Sequence, residues 1–286
     1  MNLIVGELTR ALPAELFVYF AVFTRIGAAM LGMPGLGELA IPARIRLSLA
    51  LALTLILTPI VGPAIPALPD SALSMTGILV QESLVGAFVG LAGRFAISAL
   101  VVAGAIIAQQ TGLAAATLFD PGFGQQGAAI SAWLVAIAIV FLFVTNMHHL
   151  LLHAIADSYR LFPPGQTPPL GDFAKALTTW TAHSFALGVQ ISAPFLVFGL
   201  VINLAMGLIA RLQPAIQVFF IAQPAQIAIG MMALALTTAA AMRAFERAAP
   251  FANPPAALVE QGFIRFAFSF HVTQDGLALP RPTRFR

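Results

Sequence analysis

The chain has 286 residues, of which 59% are hydrophobic and only 9% charged, with a formal net charge of +3 and a mean hydropathy of +0.93. Soluble domains carry about 25% charged residues, so such a chain cannot face water on all sides; the composition is that of a polytopic membrane protein. Its basic residues, thirteen arginines and one lysine, are scattered, which argues against nucleic acid as a partner, and the lack of cysteine excludes disulfides, thiol catalysis and Cys-ligated metals.

The opening stretch MNLIVGELTRALPAELFVYFAVFTRIG holds Glu7, Arg10, Glu15 and Arg25 among its apolar residues, and it reads as retained rather than as a cleavable signal. Apolar runs of spanning length follow at 12–33, 45–61, 77–110, 129–156, 184–210 and 216–242. The third is too long for one span of ~20 residues. It contains Glu82 and Arg94, and the stretch GLAGRFA predicts a break there, giving seven helical segments in an all-α fold. Pro- and Gly-rich linkers at 61–71, 161–172 and 253–255 separate helices, because proline removes a donor and clashes with the preceding turn. Arg44, Arg46, Arg160 and Lys175, with six arginines from Arg243 onward, place the 35–46 and 157–183 connections and the C-terminus in the cytoplasm by the positive-inside rule. Arg211 falls on the wrong side of that scheme. The tail holds an amphipathic piece, ALVEQGFIRFAF, and then a stretch whose composition predicts disorder.

Two polar stretches stand out. Residues 109–129, QQTGLAAATLFDPGFGQQGAA, are Gly-rich and carry four glutamines, a composition able to fold back into a protein-lined cavity, where irregular backbone is permitted. Residues 207–230, GLIARLQPAIQVFFIAQPAQIAIG, combine Arg211, two prolines and four glutamines with apolar residues. Unpaired polar groups in hydrocarbon cost several kcal/mol each, so this segment lines water or packs against protein. Small residues in GAFVGLAG (86–93) and AGAIIA (103–108) let helices approach closely, within this bundle or between subunits.

Enzymatic chemistry is poorly supported. His149, His153 and Asp157 share one helix face at metal-ligand spacing, but Leu150 stands where H-E-x-x-H places its catalytic glutamate. The plainer reading is an interfacial helix end whose imidazoles find hydrogen-bond partners. Glu82 and Asp120 are candidates for a proton relay; an ion pair of Glu82 with Arg94 or a partner subunit, and a turn-shaping role for Asp120 in its Asp-Pro-Gly sequence, are the simpler expectations. The P-loop and serine-nucleophile motifs are absent.

Four stretches in one order resemble a known family. FTRIGAAMLGMPGLGELAIPARIRLSLALAL (23–53) carries Arg25, Pro34, Gly35, Pro42 and Arg46; AGAIIAQQTGLAAATLFDP (103–121) ends in Asp-Pro; NMHHLLLHAIADSYRLFPPG (146–165) holds the His148–His149 pair. The fourth, 194–230, carries Asn203, Gly207, Arg211, Pro214, Pro224 and Gly230. Over roughly residues 15–265 the chain resembles the R subunit (FliR) family of the flagellar type III export gate, whose paralogue is the T subunit of virulence injectisomes. Met147 and Ala215-Ile216-Gln217 depart from the family pattern.

The resemblance implies a non-enzymatic core subunit without cofactor or metal, located in the bacterial inner membrane at the flagellar basal body. It implies a single export-gate domain over 1–265, a P-like part (1–183) fused to a Q-like part (184–265), and a flexible tail at 266–286. Its implied partners are the P and Q gate subunits, the flagellar B and A export proteins, rod proteins above, and the unfolded flagellar proteins that pass through. It also implies a channel plug built from Gly112, Phe119, Asp120, Pro121, Gly122 and Phe123. Arg211, Pro214, Gln217, Gln223, Pro224 and Gln226 would form a helix hairpin and subunit interface. Arg25, Arg46, Glu82, Arg94, His148 and His149 are the buried-polar and ion-pair candidates. An injectisome subunit and, from another class, a proton-coupled transporter are the alternatives.

Overall fold

The computed structural model describes residues 2–38, 41–113, 126–213 and 218–248. Seven α-helices account for nearly all of them: α1 (Asn2–Gly32), α2 (Ala43–Val61), α3 (Ala72–Gln110), α4 (Gln126–Val144), α5 (Met147–Leu161), α6 (Leu170–Leu212) and α7 (Val218–Ala248). No strand occurs among the described residues. The chain is an all-α membrane protein. Five helices are long and apolar enough to span a bilayer, and α4 with α5 makes a sixth if the bent pair counts as one span.

Most boundaries fall where the linkers put them. A short 3₁₀ turn, Gly62–Ala64, ends α2 within the first linker, and Ser71 then starts α3 by accepting a hydrogen bond from the Ser74 amide at 3.2 Å. The prolines of 163–169 separate α5 from α6.

The predicted break at GLAGRFA is wrong. Helix α3 runs unbroken for 39 residues, and its glycines serve contact rather than interruption. A Cβ added at Gly86 or Gly90 would collide with the carbonyl oxygens of Arg25 and Ala29, one turn apart on α1. A Cβ at Gly93 would meet Pro34, and one at Gly104 would meet Ser131 of α4. These small residues therefore bring α1 and α4 against α3 within this chain. The seventh helix comes instead from the run at 129–156, which bends by 77° between α4 and α5. Asn146 makes that corner with φ of 59°, a left-handed conformation that asparagine tolerates better than most residues.

Helix α3 is the central element, packed against α1, α4, α5 and α6. Its second half, from Ala96 to Ala108, forms one core with Leu134 of α4, Ile191 and Phe195 of α6, and Phe245 of α7. A second core joins α1, α2 and α5 around Ile26, Met30, Leu151 and Ile155. A third is aromatic: Phe88 of α3 stacks on Phe173 of α6 with centroids 3.8 Å apart, and Trp180 lies on the same ring at 5.1 Å.

Length and exposure set this fold apart from an ordinary bundle. At 1.5 Å per residue, α3 and α6 are about 58 and 65 Å long, against a bilayer core of about 30 Å. Neither fits upright within the hydrocarbon. The most apolar window of α6 is only 11% buried, and Val197, Leu200, Val201, Leu204, Leu208 and Leu212 are all exposed. Helix α6 also passes without interruption through residues 183 and 184.

Candidate functional site

The two polar stretches singled out from the sequence meet. Helix α3 ends at Gln110, and Thr111 and Gly112 turn the chain away, Gly112 with φ of +76°. The last carbonyls of any helix lack intrahelical partners. Here two of the carbonyls at that end accept hydrogen bonds from α7. Gln226 Nε2 donates to the Gln110 carbonyl at 2.8 Å, and Gln223 Nε2 donates to the Gly112 carbonyl at 2.7 Å. Gln223 and Gln226 are three residues apart and so share a face of α7. Gly230, one turn further, is where Thr111 fits: an added Cβ would lie 2.5 Å from Thr111 Cγ2. Thr111 is fully buried and returns its hydroxyl to the Ile107 carbonyl at 2.9 Å. The Gln110 side chain packs over Gly199 of α6. The end of α3 is thus held by α6 and α7 together.

Of the sequence-predicted plug residues, Gly112 is at this joint. Phe119, Asp120, Pro121, Gly122 and Phe123 lie outside the described residues, as do Pro214 and Gln217. Arg211 stands exposed in the last turn of α6. Pro224 lies inside a continuous α7. Proline forfeits a single helical N–H, a loss that apolar helices packed among neighbours accommodate.

The predicted pairing of Glu82 with Arg94 is also corrected. Glu82 is bidentate with Arg25 of α1, at 2.6 Å to Nε and 2.9 Å to Nη2, and both side chains are 1% exposed. Arg25 Nη2 also donates to the Phe162 carbonyl at 2.9 Å, and the guanidinium lies 4.1 Å from the Tyr159 ring centroid. The reason is geometric. Gly86, one turn below Glu82, brings the two backbones together, so Arg25 reaches the carboxylate directly, whereas Arg94 is three turns along the same helix. Arg94 instead binds Glu38 at 3.0 Å in a half-exposed pair. Arg46 donates from Nη2 to the carbonyls of Glu38 and Ile41, at 3.1 and 3.2 Å, and so braces the turn between α1 and α2.

His148 packs its ring between Phe143 and His149, at 4.9 and 4.1 Å, while His149 and His153 are exposed. Among the described residues no three His, Asp or Glu side chains gather as a metal site. What these constellations do chemically is hold helix ends and helix pairs in register. Sequence reasoning missed Glu38, Ser158 and Tyr159 as partners. The i, i+3 spacing of Gln223 and Gln226 on an apolar helix was the available signal for the joint.

A family model described as bacterial export proteins, family 1, matches residues 16–250. The chain belongs to that family. It is 40% identical to the flagellar biosynthetic protein FliR of Caulobacter vibrioides over 223 residues, which is 78% of this chain and 89% of the relative. FliR of Bacillus subtilis is 31% identical over 76% of this chain and 84% of its own length, and FliR of Escherichia coli K12 is 29% identical over 76% and 83%. The span of the family match, 16–250, takes in α1 from residue 16, the whole of α2 to α7, and both halves of the joint. Family membership thus agrees with the resemblance read from the four sequence stretches.

Proposed function

We propose that this chain is a core, non-enzymatic subunit of the flagellar protein export gate. In this reading it combines with P and Q subunits to surround the channel through which unfolded flagellar proteins leave the cytoplasm. Family membership makes it a bacterial export protein whose relatives serve flagellar biosynthesis. The single observation that carries the finer reading is the surface of α6. A helix about twice as long as the bilayer core is thick, with an apolar window only 11% buried, has a face that asks for other helices as well as lipid.

The Gly-rich segment leaving α3 at Gly112 would be the plug, and the α6–α7 hairpin, with Arg211 at its end, would face sister subunits. Residues 1–183 would be the P-like part and 184–265 the Q-like part, sharing α6 across the boundary. The gate would sit in the inner membrane at the basal body, beneath the rod and beside the B and A export proteins.

The test is detergent purification of a tagged copy from its native cells, followed by mass spectrometry and sizing. Recovery in a large complex with two other small helical membrane proteins is the expected result, and co-purifying basal-body proteins distinguish a flagellum from an injectisome. A stable monomer or homodimer without those partners would overturn the proposal.

A further inference from the structure

The hydrogen bonds at the α3 end tie together two distant parts of the chain. Gln223 and Gln226 join backbone positions more than a hundred residues away in sequence, and their acceptors are the carbonyls of Gln110 and Gly112, on either side of the buried Thr111. Both donors come from the first turns of α7, and Gly230 receives Thr111 on the same face. Glycine is needed twice. At Gly112 the positive φ disfavours any Cβ, and a Cβ there would also strike the Gln223 amide. At Gly230 a Cβ would push Thr111 away.

We propose that Gln223 and Gln226 are positioning residues that make the first turns of α7 and the last turn of α3 one mechanical unit. A displacement of α7 at its N-terminal end then moves the point at which the chain leaves α3. Two side-chain amides suit this task better than an apolar contact. Hydrogen bonds fix direction as well as distance, and in a water-poor setting losing a donor to a carbonyl is costly. Yet each bond is individually modest, so the joint can be released without unfolding either helix. The consequence for channel permeability rests on the plug reading above; the coupling itself does not.

Because the chain has no cysteine, Thr111→Cys supplies one slightly smaller reporter thiol in this chain at a fully buried position. The assembled complex in membrane vesicles is treated with a maleimide, with Gln223 and Gln226 intact or replaced as Gln223→Met/Gln226→Met, which keeps side-chain length and removes both donors. Labelling is expected to accelerate on the order of tenfold in the double variant. Gly230→Ala should act in the same direction, because its Cβ would lie 2.7 Å from the Cβ of residue 111, an atom that the reporter keeps. Leu142→Ala, a cavity in the other core, should leave labelling unchanged. Unchanged labelling in the Gln→Met variant would overturn the proposal. Failure of that variant to enter the complex would overturn it as well, since the glutamines would then hold the fold rather than the position. Permeability of the same vesicles to small ions separates the two readings: faster labelling with no leak keeps the coupling and sinks the plug.

Discussion

Removal of the Glu82 carboxylate tests the physical account of this bundle most directly. In Glu82→Ala, Arg25, which is 1% exposed in this structure, loses both carboxylate oxygens from its fork and is left with the Phe162 carbonyl, now at 2.9 Å, the Ser158 hydroxyl, now at 3.4 Å, and the Tyr159 ring. Removing one member of a buried pair costs about 3–5 kcal/mol, because the remaining charge is left uncompensated. For a domain of this size that corresponds to a melting shift of roughly 6–20 °C. Glu82→Gln keeps the shape and one acceptor but turns an amide N–H₂ toward the guanidinium, for about 1–3 kcal/mol. The double variant Arg25→Met/Glu82→Met removes both charges and should recover most of the loss, since apolar residues of similar volume often replace a buried pair at little cost. The assay is thermal aggregation of the detergent-solubilised complex, with Arg25→Met and Glu82→Met measured singly beside the double variant to close a double-mutant cycle. Additive losses in the double variant would refute the pairing account. Swimming abolished in Glu82→Gln at full complex yield would refute it differently, by showing that the carboxylate carries protons instead of holding α1 to α3.

Four other outcomes follow from the same structure. Gly86→Ala or Gly90→Ala should cost at least 1–3 kcal/mol by overpacking backbone against backbone, whereas Gly77→Ala, which meets nothing within 4 Å, should be neutral or stabilising by up to about 1 kcal/mol; thermal aggregation again reads both. Asn146→Ala should destabilise by about 1–2 kcal/mol through the left-handed corner between α4 and α5, and Asn146→Gly should not, measured the same way. Trp180→Ala should cost about 3–5 kcal/mol by opening the aromatic core around Phe88 and Phe173, seen as reduced folded yield. Arg211→Ala should lower recovery of the assembled complex while leaving the chain's own helices intact by circular dichroism; normal complex yield would remove Arg211 from the proposed interface.

Much of the fold was legible because hydropathy and proline act locally. Apolar runs long enough to span, and linkers such as 161–172, determine helices and their ends whatever the neighbours do, and four motif stretches in one order were enough to recognise the family. What misled was chemistry with two local meanings. Glycine both weakens a helix and permits close approach, so GLAGRFA read as a break when its glycines, with Gly86, make the packing surface of α3. Asn146 carried no comparable signal, and the bend that divides α4 from α5 went unforeseen.

The partners of the charges lay further beyond reach. Sequence spacing offered Arg94 to Glu82, but an ion pair is decided by which backbones come within a few ångströms, and Arg25 is 57 residues away. The same holds for the joint at Gln223 and Gln226. The sequence by itself determined that these amides must find acceptors, because an apolar helix cannot leave them unpaired. Only the tertiary structure decided that the acceptors are the open carbonyls at the end of α3, since non-local contacts depend on how helices cross, and that is set by the packing of every small residue between them.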